Sequence, residues 1–111
     1  MKVNELIEKE LFKVVNAGED TEREIEKVFC CDLLSIAMGK APAGCAWVTV
    51  MGNINTLAVA TLADCACVIL AENAAFDETA AEKAKQQGVT VLRTDLPIFE
   101  AALAVHKLLE S

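Results

Sequence analysis

"CAWVTVMGNINTLAVATLADCACVILAEN", Cys45 to Asn73, reads as a strand, a helix and a second strand. "CAWVTV" is β-branched and apolar throughout, the mark of a strand buried on both faces. "MGN" is turn chemistry, and "NINTLAVATLAD" follows as an Ala-rich helix that can lie close on a sheet, with Asn53 or Asn55 in position to cap it. "CACVILAE" is again a continuous apolar run. Two such strands joined by a helix form a parallel pair, because parallel neighbours need a long crossover. Trp47, inside the first run, is expected in the core.

The same alternation extends outward. Upstream, "REIEKVFC" alternates polar with apolar before turning wholly apolar, and "LLSIAMGK" supplies one or two helical turns closed by Gly39 and the following Pro42. Downstream come "DETAAEKAKQQG", an amphipathic helix with Asp77 near its start and Gly88 past its end, then the strand "VTVLRT". "PIFEAALAVHKLLE" opens on Pro97 and packs through Ile98, Ala102, Val105 and Leu109. At the other end, "VNELIEKEL" places Val3, Leu6, Ile7 and Leu11 on one helical face with Asn4 as its cap, before the short strand "FKVV". No helix pattern lies between Val15 and Glu24, so the first two strands are expected as an antiparallel pair at one edge. The fold class is therefore α/β: one three-layer domain over residues 1–111, a mostly parallel sheet with helices on both faces.

Composition narrows the function. The chain has 111 residues, 54% of them hydrophobic, and a formal charge of −7. That apolar share exceeds the roughly 45–50% of ordinary soluble domains, and a homodimer interface is the economical place for the surplus. With no basic cluster, nucleic-acid binding by phosphate neutralisation is not expected. Runs such as Cys65–Ala71 fall far short of the ~20 residues that span a bilayer, so no membrane association is expected. "MKVNELIEKEL" carries three Glu in its first ten residues and has no apolar core. It is no signal peptide, which points to the cytoplasm. Glu8, Glu10, Glu19, Asp20, Glu22, Glu24 and Glu26 are scattered as a solvated face would be.

Catalytic motifs do not assemble. "MGKAPAGCAW" has Gly39, Lys40 and Gly44 in the wrong order for a phosphate-binding loop, and Gly52 stands alone where a dinucleotide fingerprint needs three glycines. His106, the single histidine, has no Ser or Cys beside it and reads as structural or surface. The five cysteines lack the C-x₂₋₄-C knuckles of a structural zinc site. Cys30 and Cys31 point to opposite faces of a strand, and all five are expected as small apolar packing groups, Cys65 and Cys67 in a central strand. No metal or cofactor is called for.

"TEREIEKVFCCDLLSIAMGKAPAGCAWVTVMGNINTLAVATLADCACVILAEN" combines an acid–Arg–acid start, a strand ending in Asp-Leu-Leu-Ser, a Trp-containing strand, an Asn-containing turn and an Ala/Val helix. In this order, and from about Val3 to Leu109, the chain resembles the DRTGG domain family. The name-giving run is absent: Ile25-Glu26 stand where two glycines belong if it is placed at Glu22-Arg23-Glu24, and Asn53-Ile54 replace the acid–Arg pair if it is placed after the Trp47 strand. The resemblance implies a fold like the N-terminal domain of HPr kinase/phosphorylase, without that enzyme's kinase domain. It also implies a regulatory or ligand-binding role rather than catalysis, with a small metabolite, a nucleotide or a partner protein as the bound species.

Ligands of open α/β sheets sit outside the carboxyl ends of the strands. Asp32 closes one strand there, and Thr49, Gly52, Asn53 and Asn55 lie at or after the end of the next. The resemblance adds Ser35, through the Asp-Leu-Leu-Ser segment. Asp32, Ser35, Thr49, Gly52, Asn53 and Asn55 are thus the candidate ligand-binding residues. The competing reading of Asp32 is a cap on the helix beginning at Leu33. Two other functions stay open: a metal or redox sensor on Cys30, Cys31, Cys45, Cys65 and Cys67, and a minimal enzyme using Asp32 and Asn53.

Overall fold

The computed structural model describes residues 1–111. Its elements are α1 (Val3–Glu8), β1 (Lys13–Asn16), β2 (Lys27–Cys30), α2 (Leu34–Lys40), β3 (Cys45–Thr49), α3 (Ile54–Leu62), β4 (Cys67–Leu70), α4 (Glu78–Gln87), β5 (Val91–Arg93) and α5 (Ile98–Glu110). The sheet has the order β1-β5-β4-β3-β2. β2, β3, β4 and β5 are parallel, with Trp47 opposite Phe29 and Val68, and Ile69 opposite Leu92.

From β2 to β5 each crossover steps to the next strand in one direction. Right-handed crossovers of that kind put their helices on a single face, and α2, α3 and α4 share one. Under them lie Cys45, Trp47, Val68, Leu70 and Val91, packed with Ala37, Leu57, Ala60, Ala80 and Ala84. The strand period of two sends Ala46, Val48, Cys67, Ile69 and Leu92 to the other face, where they meet Val3 and Leu6 of α1 and Ala101 and Val105 of α5. The three-layer expectation holds. Every residue of β3 and β4 is buried, as their unbroken apolar runs required.

The antiparallel edge is present, but its partner is β5: Lys13 faces Arg93 and Val14 faces Leu92. β1 and β2 therefore lie at opposite edges of the sheet, not side by side. The linker from Val15 to Glu24 runs past α4 instead of turning back, and Gly18 fixes its path. A Cβ at Gly18 would overlap the Gly88 carbonyl, while its N–H donates to Thr90 Oγ1 at 2.9 Å.

Two details of the first helix also differ from expectation. Asn4 lies within α1 and does not cap it; its Nδ2 donates to Glu22 at 2.8 Å. The cap position is Lys2, whose backbone N–H donates to Glu5 at 2.8 Å. Leu11 falls beyond the helix and is 49% exposed, because the chain reverses at Glu10, where φ is +56°. Asp77 and Gly88 behave as read: Asp77 accepts from Ala80 N at 2.8 Å, and Gly88 takes the left-handed conformation that ends α4. No helix is long and apolar enough to cross a membrane.

Candidate functional site

At the carboxyl edge of the sheet the chain leaves β2 at Cys30 and β3 at Thr49, neighbouring parallel strands. Asp32 bridges them. Its Oδ1 accepts the Thr49 hydroxyl at 2.7 Å and the Val50 N–H at 2.9 Å, and Thr49 Oγ1 in turn accepts from Met51 N at 3.2 Å. Asp32 does not cap α2, whose cap position is Leu33 without a side-chain bond. The acid holds the turn after β3 against the end of β2, and it leaves a carboxylate on the surface while Thr49 is fully buried. Beneath it Trp47 is buried, with Nε1 donating to the Cys31 carbonyl at 2.9 Å. Two side-chain bonds thus seat the segment Cys31–Leu33 on β3.

Asn53 is the cap of α3: its Oδ1 accepts from Asn55 N at 2.9 Å and Thr56 N at 3.1 Å. Thr56 adds a bond to the Met51 carbonyl at 2.7 Å. The turn Met51–Asn53 is thereby anchored from both sides. Gly52 is required for a close approach, but the approaching group is the Ala75 carbonyl, which a Cβ at Gly52 would overlap. Ser35 is exposed in the first turn of α2, and Asn53 and Asn55 are exposed at the start of α3. The structure joins Asp32 directly to Thr49 and gathers Asn53 and Asn55 beside the same turn. This edge is an open rim; none of the four surface cavities is lined by any of the six residues.

The opposite, amino edge of the sheet holds groups that sequence spacing did not bring together. A cavity of about 180 Å³ opens between Arg23, Thr61, Asp64, Cys65, Gln87 and Thr90. Arg23 grips Asp64 with both guanidinium nitrogens at 2.9 Å and reaches its carbonyl at 3.2 Å. The Arg23 hydrogen bond holds the Asp64 carboxyl below its usual range. Asp64 takes a left-handed backbone with φ +61°, and its carbonyl accepts from Gly44 N at 2.8 Å.

The cysteines divide by environment. The expectation that Cys30 and Cys31 belong to the core is corrected for Cys30, which is exposed at the end of the outer strand; Cys31 is half-buried and packs against the cluster under α2, α3 and α4. Cys67 is buried in β4 as expected, and desolvation pushes its thiol up to about 12. Cys65 precedes the strand and is half-buried. Its sulfur lies 3.5 Å from that of buried Cys45, with one hydrogen bond shared between them. That shared bond eases the ionisation of Cys45, and together with burial it holds that of Cys65 up. Only the parallel register of β3 and β4, which sets Ala46 opposite Cys67, places these two thiols in contact. No group of three His, Cys, Asp or Glu side chains has metal-binding geometry. His106 is an exposed residue of α5, 3.4 Å from Glu110.

A search of curated protein sequences gives no match. Among solved structures, the fold is similar to that of the CBS and DRTGG domains of the regulatory region of a Clostridium perfringens pyrophosphatase, crystallised with its activator diadenosine tetraphosphate. The TM-score is 0.74 at 14% identity, over 92% of this chain and 44% of that one, so the chain spans less than half of that regulatory region. The sequence profile of the DRTGG domain matches residues 5–108, and the chain belongs to the DRTGG domain family.

Proposed function

We propose that this domain is a non-catalytic regulatory module of the cytoplasm that binds a small nucleotide or related metabolite and works as a homodimer. The observation that carries the reading is the fold shared with a regulatory region solved together with a nucleotide activator. The ligand is assigned to the carboxyl edge, against Asp32, Ser35, Asn53 and Asn55, with Thr49 and Gly52 shaping the turn beneath it. Two features support that place. The turn after β3 is held rigid by Asp32, Thr49 and the Asn53 cap. Exposed polar groups of Asp32, Ser35, Asn53 and Asn55 stand around it. Because the rim is open, a second surface has to close over a bound molecule.

A second copy suits that role. Leu33, Ile36 and Met38 are 55%, 49% and 57% exposed, and Val50 and Ile54 beside the rim are also exposed. On the other face of β2, Phe99 forms a shallow apolar groove with Val28, Cys30, Ala102 and Leu103. β2 itself is an edge strand with unpaired backbone groups on its outer side.

The test is a thermal-shift screen of nucleotides, diadenosine tetraphosphate first, on the wild-type chain and on Asp32→Ala. A ligand that binds only the folded state raises its apparent stability. The proposal expects a concentration-dependent rise in the wild type that is lost in the variant. Equal shifts in both move the site away from this rim, and no shift with any nucleotide rejects the ligand class.

A further inference from the structure

Of the five thiols, two share an environment no other pair has. Cys67 faces the layer under α1 and α5, Cys30 lies in the groove beside Phe99, and the Cys31 thiol donates to the Leu33 carbonyl at 3.3 Å. Cys45 and Cys65 instead meet across the amino ends of β3 and β4, sulfur to sulfur at 3.5 Å. Cys65 precedes Ala66, whose N–H donates to the Cys45 carbonyl at 2.8 Å, so the two cysteines sit on neighbouring backbones, and both belong to the layer under α2, α3 and α4. Closing a bond of about 2.05 Å brings the two sulfurs about 1.5 Å nearer than they stand. Access is asymmetric. Cys65 lines the open cavity at this edge, whereas Cys45 is completely buried.

We propose that Cys45 and Cys65 form a reversible dithiol–disulfide site whose oxidant is a low-molecular-weight disulfide entering through the Arg23–Asp64 cavity. Cys65 is the sulfur that lines the cavity, so it attacks one sulfur of the oxidant as its proton passes through the shared hydrogen bond to an ionised Cys45. The oxidant's S–S bond breaks, one thiol leaves with the proton that Cys45 had released to solvent, and a mixed disulfide remains on Cys65. Cys45 then attacks the Cys65 sulfur, forming the Cys45–Cys65 bond and expelling the second thiol, which carries the proton that Cys45 took from Cys65. Two protein thiols are oxidised and one disulfide is reduced to two thiols, so atoms and electrons balance. Closure ties the start of β3 to the residue that follows Asp64. Since Asp64 is clamped by Arg23 and bonded to Gly44 N, the bond also changes the wall of the cavity.

The experiment equilibrates the intact chain in glutathione/glutathione-disulfide buffers, quenches it with acid, alkylates the free thiols and reads the whole-protein mass. The reduced chain takes alkyl groups on all five cysteines. The oxidised chain is expected to lose two of them, without a glutathione adduct. Cleavage on the amino side of Asp64 should then leave the Cys45 and Cys65 fragments joined until reduction. Cys65→Ser, whose folding is checked by Trp47 emission, should keep all its remaining thiols alkylatable in the same buffers, and Cys30→Ser should still close the bond. The proposal is overturned by five alkylated cysteines at the most oxidising ratio. It is equally overturned by a glutathione adduct that persists on Cys65, or by a bond mapped to another pair or between two chains.

Discussion

Asp32 accepts two hydrogen bonds that join neighbouring strand ends, and one of its donors is the hydroxyl of fully buried Thr49. Removing the carboxylate leaves that hydroxyl without its acceptor, a loss of about 1–3 kcal/mol for a buried group. Asn53 does a different task, since its side chain satisfies two amides at the start of α3. Its replacement by Ala should cost about 1 kcal/mol, the usual value of a cap. Urea unfolding of Asp32→Ala and Asn53→Ala is expected to show both losses, the first at least as large. Binding of whichever nucleotide shifts the wild type should fall in both variants. Intact binding alongside the stability loss would mean that these side chains only hold the turn. Gly52 carries a similar lesson: its missing Cβ makes room for the Ala75 carbonyl.

Among the elements, β4 supplies the cleanest test of packing. Cys67 is 1% exposed and surrounded by apolar side chains. Cys67→Ala should lower stability by about 1 kcal/mol through lost contacts, and Cys67→Ser by more, because it buries a hydroxyl with no assigned partner. A serine variant as stable as the alanine one would contradict this account. Between elements, the Arg23–Asp64 pair links the segment before β2 to the end of α3. Asp64 ionises below its ordinary range in the folded chain. Its contribution is therefore present above the unfolded value of about 4 and is lost as pH falls through the lower folded value. Arg23→Ala should flatten the decline in stability over that acid window, with little effect at neutral pH because the Asp64 side chain is 64% exposed. High salt should shrink the difference between wild type and variant.

For the whole molecule, exposed Leu33, Ile36, Met38 and Phe99 lie on the β2 side, at α2 and at the start of α5. A standard interface buries about 800 Å² per partner, a modest share of the 5835 Å² surface of this chain. Sedimentation at high micromolar concentration is expected to give twice the 11.9 kDa chain mass. Ile36→Glu and Phe99→Glu should each shift the species toward monomer without unfolding it, as the two side chains are already 49% and 68% exposed. A wild-type chain that sediments at 11.9 kDa would remove the dimer from the proposed function.

By itself, the sequence determined what depends on local pattern. Continuous apolar runs made β3 and β4 buried strands, Asn53, Asp77 and Gly88 marked helix ends, and Trp47 belonged inside. These follow from periodicity and capping, which act within a few residues. Pairings between distant segments were decided only by the tertiary structure. β1 joined β5, the strand at the edge of the parallel set opposite β2, and no local pattern near Val14 names that partner. Asp32 became a bridge to Thr49 instead of a cap, and Cys45 met Cys65, because parallel pairing of neighbouring strands brings together residues that lie 17 and 20 positions apart in the chain. Cys30 stayed in solvent for the same kind of reason: its strand ends the sheet, and an edge has a neighbour on one side only.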